Sequence, residues 1–206
     1  MARYQIPRRL GILVSGRGSN LQSIIDAIAA HELDAEIAVV VSNRADAAGL
    51  TRARNAHIET VHVDPKAHEN RIAYDRALVE VLHSRHVGLV CLAGFMRIVG
   101  APVLEAFPDR VLNIHPSLLP AFPGLDAQRQ ALDHGVRVTG ATVHLATTEL
   151  DGGPIVVQAA VPVLDDDTVE TLSARILIEE HRLYPEAIRI VLDGRWRIDG
   201  GRFIRS

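Results

Sequence analysis

The sequence predicts an α/β fold: a doubly wound, mainly parallel sheet, made mixed by an antiparallel hairpin in the C-terminal half. Three observations carry that expectation. Between residues 9 and 115, short runs that are apolar throughout alternate with helix-period segments, the pattern of strands whose two faces are both covered by helices. After Gly124 the pattern changes to two alternating runs joined through Asp151-Gly152-Gly153, which reads as an antiparallel hairpin. The first apolar run meets Ser15-Gly16-Arg17-Gly18-Ser19-Asn20 and then a helical pattern, the order strand, loop, helix.

Each element follows from its own residues. The strand at 9–14 is followed by a helix whose apolar positions are Leu21, Ile24, Ile25 and Ile28, spaced to share one face. A strand at 37–41, a helix at 45–56, a strand at 60–63 and a longer amphipathic helix at 68–85 repeat the alternation. Residues 87–93 and 111–115 add two buried strands. A helix at 126–134 precedes the hairpin runs 138–146 and 155–163, and a long helix covers about 168–192. Asp193-Gly194 and Asp199-Gly200 punctuate a short terminal ribbon around Trp196 and Phe203. No internal repeat is visible, so one domain is expected over 1–206, with a nucleotide-type half at 1–110 and a smaller antiparallel half at 111–206.

Composition narrows the function classes. A chain of 206 residues is long enough for one well-buried core, and 48% hydrophobic with 23% charged residues is the balance of a soluble folded protein. Residues 1–10 lack a signal-peptide apolar core and no later run reaches the roughly 18 residues of a membrane span, so a cytoplasmic protein is expected. The net charge of -3 and the absence of a dense basic stripe disfavour a nucleic acid partner. Lys66 is the only lysine among 22 basic residues, which leaves no lysine for a Schiff base or a P-loop elsewhere in the chain. The single cysteine, Cys91, lies in an apolar run and reads as a small buried hydrophobe; a disulfide framework or a Cys-rich zinc site is excluded.

The stretch Val111-Leu-Asn-Ile-His-Pro-Ser-Leu-Leu-Pro120 is the most informative in the chain. Side chains alternate along a strand, so Asn113 and His115 share one face where Pro116 stops the ladder, and an amide donor and a titratable imidazole project together. Taken alone, the pair fits either a site or a turn cap beside a core histidine. The glycine loop can offer unpaired backbone amides to a phosphate at the positive end of a helix, while Ser19 and Gln22 fit a capping box, and the two readings are compatible. A dinucleotide is not expected, because Leu21 stands where the fingerprint needs its third glycine and Val41-Ser42-Asn43 supplies no acid for a ribose. Asp151 reads as a plain turn residue, or, if the hairpin packs beside the strand ending at His115, as the carboxylate that orients the imidazole and favours its cationic form. An Asn, a His and an Asp without a nearby nucleophilic side chain suit direct attack on a carbonyl: Asn113 toward the oxyanion, His115 supplying protons, Asp151 holding His115.

Four motifs then fall in one order: Ser15-Gly-Arg-Gly-Ser-Asn-Leu-Gln22, Leu92-Ala-Gly-Phe-Met-Arg-Ile98, Asn113-Ile-His-Pro-Ser-Leu-Leu-Pro120 and Glu149-Leu-Asp-Gly-Gly-Pro154. With them, and with Gln158, Val161-Pro162 and Glu180-His181, the chain resembles the phosphoribosylglycinamide formyltransferase family over nearly its whole length. The resemblance implies the formyltransferase fold and transfer of a formyl group from 10-formyltetrahydrofolate, as co-substrate, to the glycine amine of glycinamide ribonucleotide in purine synthesis, with no metal and no covalent enzyme intermediate. It implies Asn113, His115 and Asp151 as the catalytic group. It places the ribonucleotide phosphate at Gly18, Ser19 and Asn20, and the acceptor amine at Glu180 with Leu177, Ile178 and Glu179 beside it; from sequence alone Glu180 reads equally as a solvated helix acid. The folate is assigned to Met96, Arg97, Ile98 and Val99, to Asn113, and to the loop Thr147, Thr148, Glu149, Leu150 and Asp151, with Arg71 reaching its acidic tail. One departure stands out: after Pro123-Gly124-Leu125, Asp126-Ala127-Gln128 replaces histidines common in relatives; Arg17, at a variable position of the family's glycine loop, offers an additional phosphate contact. The rivals are a formyltetrahydrofolate hydrolase, a methionyl-tRNA formyltransferase and a non-enzymatic nucleotide-binding module, the first two expected to carry further domains. Monomer and homodimer are both left open.

Overall fold

The computed structural model describes residues 6–206. Seven strands form one sheet in the order β3-β2-β1-β4-β5-β6-β7, where β1 is Arg9–Val14, β2 Glu36–Ser42, β3 Thr60–His62, β4 Leu89–Leu92, β5 Val111–His115, β6 Val138–Leu145 and β7 Ile155–Pro162. The pairs among β1 to β5 are parallel; β6 runs antiparallel to β5, and β7 antiparallel to β6. A separate two-stranded ribbon, β8 (Trp196–Asp199) and β9 (Arg202–Arg205), stacks Trp196 on Phe203 at 4.9 Å between ring centroids. The expected mixed, doubly wound sheet is therefore present.

Strand alternation divides the core in two. Leu10, Ile12, Val14, Leu89, Cys91, Leu112 and Ile114 pack on one face beneath α1 (Ser19–Ala29) and α6 (Val169–Asp193). Leu13, Val39, Val41, Val90, Leu92 and Val111 pack on the other beneath α3 (Arg71–His83) and α4 (Ala101–Ala106). The central strands are apolar on both faces because both are covered. Asn113 and His115 continue the Val111 side, the face of α3 and α4. Cys91 is fully buried, and burial pushes its thiol well above the ordinary range, as suits a packing residue.

The 25-residue α6 is fixed at both ends: Thr168 and Thr171 form a capping box at its start, and Gly194 ends it in the left-handed region at φ 67°. Tyr184, fully buried in its middle just before Pro185, places its hydroxyl 3.0 Å from the carbonyl of Leu92 and 3.1 Å from that of Leu112, stitching the helix to β4 and β5. Element starts differ from expectation where capping decides them. The second helix, α2 (Ala48–Asn55), begins later than 45; α3 begins at Arg71 because the side chain of Asn70 accepts from the Ala73 N–H, and a 3-10 turn, Pro65–Ala67, precedes it. The six-residue α4, between Gly100 and Phe107, has too little periodicity to be read from sequence. The helix expected at 126–134 is α5, Ala127–Asp133.

The strand order reverses direction between β1 and β4, so the crevice at their C-terminal ends is where an open α/β sheet accepts a ligand. The glycine loop leaves β1 there, and residues 93–100 leave β4 beside it. On the far side, β7 carries a bulge: Val157 faces Val143 and Ile155 faces His144, leaving Val156 unpaired on β6.

The hairpin leaves no room for a side chain at Gly140, where an added Cβ would come 1.9 Å from the carbonyl oxygen of Ala159. Gly140→Ala is expected to lower stability by about 1–3 kcal/mol or more, read as a reduced denaturant midpoint at an unchanged m-value.

Candidate active site

The site grows from the antiparallel pairing of β5 and β6. Asn113 sits opposite His144, and directly opposed residues point to the same face, so an amide, an imidazole at His115 and a second imidazole at His144 are gathered by register alone. His144 Nδ1 lies 3.0 Å from the Leu145 carbonyl, an acceptor only, so this nitrogen carries a proton. In the neutral ring Nε2 then accepts from Asn113 Nδ2 at 3.1 Å; in the protonated ring its N–H is directed at the Asp151 carboxylate instead. The turn of the hairpin brings Asp151 over the group. Its Oδ1 accepts from Asn113 Nδ2 at 3.4 Å and lies 3.6 Å from His144 Nε2, while its Oδ2 lies 3.4 Å from His115 Nδ1 and accepts from the Gly124 N–H at 2.8 Å.

The side chains of His115, His144 and Asp151 are all buried below a tenth of their free exposure. Burial works against the charge on Asp151, but the His144 ring, the Gly124 N–H and the neighbouring imidazoles outweigh it and hold the carboxyl below its ordinary range. His115 Nε2 donates to the Phe122 carbonyl at 2.8 Å. That carbonyl belongs to a loop held by a buried hydroxyl: Thr142 Oγ1 donates to the Ser117 carbonyl at 2.7 Å and accepts from the Leu119 N–H at 3.1 Å and from Gln158 at 2.9 Å. Ser117 donates to the Ala121 carbonyl and completes the turn.

At the glycine loop the expected capping box is absent. Gly18, at φ 68°, is itself the N-cap of α1; Ser19 enters the helix without a capping bond, and Gln22 is occupied with Asp26 and Arg52. A side chain at Gly18 would meet Gly49, since the two backbones touch. With no side-chain cap, the first amides of α1 stay open to an anion. Glu180 is no solvated acid: it is 8% exposed and accepts from Asn20 Nδ2 at 2.7 Å, so α6 delivers a buried carboxylate to the mouth of α1. Burial raises its carboxyl above the ordinary range, opposed by the Asn20 bond and the charge of Arg17. Leu177 is half-buried and Ile178 exposed; Glu179 is paired with Arg182 on its own helix.

Beyond β4, Met96 and Ile98 are exposed apolar side chains, Val99 is buried, and the Arg97 guanidinium lies 4.9 Å over the ring of Tyr74. Arg71, half-exposed, stands 3.9 Å from Asp75. Thr147, Thr148, Glu149 and Leu150 form an exposed turn leading to Asp151. Among the described residues, no group of three or more His, Cys, Asp or Glu side chains is arranged to hold a metal ion. What is present is an amide and two imidazoles around one buried carboxylate, beside a wall of exposed apolar side chains. That set can polarise a carbonyl and move a proton. His144 was not among the residues singled out from sequence; its signal was the polar interruption of Val138–Leu145, meaningful only once the register is known.

Comparison with known proteins gives one consistent picture. The formyl transferase family profile matches residues 8–188. Phosphoribosylglycinamide formyltransferase of Escherichia coli (strain K12) is 46% identical over 187 residues, 91% of this chain and 88% of that protein. A crystal structure of glycinamide ribonucleotide transformylase 1 from Symbiobacterium toebii superposes with a TM-score of 0.94 at 58% identity, covering 96% of this chain and 93% of the other. Trifunctional purine biosynthetic protein adenosine-3 of Bos taurus is 47% identical over 195 residues; this chain, matched over 94% of its length, spans only 19% of that protein.

Because Asp151 titrates lower in the folded protein than in the open chain, its contribution to stability is full above the ordinary carboxylate value of 3.8 and is lost as pH falls through the depressed one. Asp151→Asn removes this dependence. Thermal midpoints measured from pH 6 to pH 2 are therefore expected to fall less steeply in the variant below about pH 4.

Proposed function

The chain belongs to the formyl transferase family, and we propose that it transfers the formyl group of 10-formyltetrahydrofolate to the glycine amine of glycinamide ribonucleotide, in purine synthesis in the cytoplasm. One observation carries this reading: the Asn113, His115 and Asp151 group and the Glu180–Asn20 pair at the uncapped glycine loop open on the same end of one sheet. A carbonyl-activating group next to an anion cradle suits an acceptor that carries both a phosphate and an amine. The names of the relatives at 46% and 58% identity support it.

In this reading Gly18, Ser19 and Asn20 hold the ribonucleotide phosphate, and Glu180, with one oxygen taken by Asn20, offers the other to the acceptor amine, with Leu177, Ile178 and Glu179 alongside. Met96, Arg97, Ile98 and Val99 and the turn from Thr147 to Asp151 line the folate, with Arg71 toward its acidic tail. The neutral amine attacks the formyl carbon, and a C–N bond forms as the carbonyl electron pair moves onto oxygen. Asn113 directs its amide protons at His144 and at Asp151 Oδ1, and it is the longer 3.4 Å bond to Asp151 that is exchanged for the oxyanion. His115 Nε2 exchanges the Phe122 carbonyl for the reacting atoms. Asp151 holds the imidazole by its other nitrogen. The tetrahedral centre collapses as the bond to the folate N10 breaks; the proton lost by the attacking nitrogen reaches N10 through His115 or a water. No metal ion and no covalent intermediate with the protein is required.

Incubation with glycinamide ribonucleotide and 10-formyltetrahydrofolate is expected to give a ribonucleotide heavier by one formyl group, followed by mass spectrometry. Release of formate from the folate without the acceptor would point instead to a hydrolase. His115→Ala and Asn113→Ala are each expected to lower kcat by about 10²–10³-fold, and, since each also removes a partner of the buried Asp151 carboxylate, to lower the thermal midpoint while the protein still folds. Full turnover in either variant would remove it from the catalytic group.

A further inference from the structure

Ser15 has a task that phosphate binding does not explain. It follows directly on β1 and is only 4% exposed. Its hydroxyl donates to Asn43 Oδ1 at 2.5 Å, and the same oxygen accepts from the Met96 N–H at 2.8 Å; its backbone N–H donates to the Gly94 carbonyl at 3.0 Å. One hydroxyl thus joins the ends of β2 and β1 to the chain that leaves β4, using its single proton one way and a lone pair the other. One residue further on, Gly16 opens the glycine loop, and its carbonyl is fixed by the Gly49 N–H at 2.9 Å.

The segment that leaves β4 has a second anchor. The Gly100 N–H donates to Asp75 Oδ2 at 2.9 Å, Asp75 is 2% exposed, and a Cβ at Gly100 would come 2.4 Å from that oxygen. Between the two anchors the chain presents Met96 and Ile98, 68% and 57% exposed, with Arg97 laid on Tyr74 between them. Exposed apolar side chains on an irregular segment are useful as a wall only if the backbone beneath them is fixed, and here two buried polar side chains, one just after β1 and one on α3, fix it.

We propose that Ser15 is a positioning residue for the formyl donor: its hydroxyl, at the start of the glycine loop, sets the Met96–Ile98 wall. Asp75 is the matching anchor at the far end. Ser15 acts through Met96 and touches neither substrate. This inference rests on the formyl-transfer reading given above. Loss of the hydroxyl leaves the Met96 N–H without its buried acceptor, and the wall settles elsewhere.

The test is steady-state kinetics of Ser15→Ala and Asp75→Ala with each substrate varied in turn, alongside thermal midpoints. Ser15→Ala is expected to raise KM for 10-formyltetrahydrofolate about tenfold, with kcat and the ribonucleotide KM nearly unchanged; Asp75→Ala should move the same constant in the same direction. Equal increases in both KM values would mean a general structural role and overturn the proposal, as would an unchanged donor KM in Ser15→Ala. If the parent protein itself transfers no formyl group, the reaction assigned above fails; if it does and the donor KM does not respond, only the role of Ser15 falls.

Discussion

The buried carboxylate of Asp151 is the contact on which the rest of the site depends. It reaches β5 at Asn113 and His115, β6 at His144 and the loop after Pro123 through the Gly124 amide, so three pieces of chain take their relative positions from two oxygen atoms. An acid this buried is tolerable only because donors and imidazoles surround it, and their combined effect, against burial, is to favour its charged form. The backbone is shaped for it. Asp151 sits at φ 52°, a left-handed conformation that Asp accepts more readily than most residues, and Gly153 follows where any side chain would run into the Leu145 carbonyl. The Asp-Gly-Gly turn closes the hairpin and delivers the carboxylate in a single step.

How much of this was legible beforehand depended on the distance over which information had to travel. Asn113 and His115 could be paired from sequence because strand alternation is a local rule, and β5 fell at 111–115 as expected. His144 could not, because its role depends on which residue of β6 lies opposite Asn113, a register set across the sheet. Glu180 looked like any exposed acid on a long helix until α6 was laid against α1 and Asn20 met it. The Ser19–Gln22 capping box failed for a local reason: Gly18 takes the left-handed conformation needed to pass Gly49, and the helix starts without a side-chain cap. The short α4 escaped because six residues cannot show a helical period.

The long helix α6 ties the halves together. It carries Glu180 to the glycine loop and, four residues later, sends the Tyr184 hydroxyl between the carbonyls of Leu92 and Leu112, the residues just before the 93–100 segment and Asn113. A residue before each wall of the crevice is thus pinned by one phenol at the centre of the molecule. Pro185, next in sequence, cannot supply an amide to the helix ladder, so side-chain anchoring matters most where the helix's own hydrogen bonding is interrupted.

The unpaired Val156 on β7 has a consequence at the rim of the sheet. An outermost strand with a regular row of free amides and carbonyls is a template on which a second molecule can stack and grow into a fibre. Here the bulge breaks the regularity of β7, and Arg205 of the ribbon donates to the Val156 carbonyl at 3.3 Å. At the opposite rim β3 is only three residues long. The same irregularity that accompanies His144 in the interior therefore also breaks the regular edge on which such a fibre would grow.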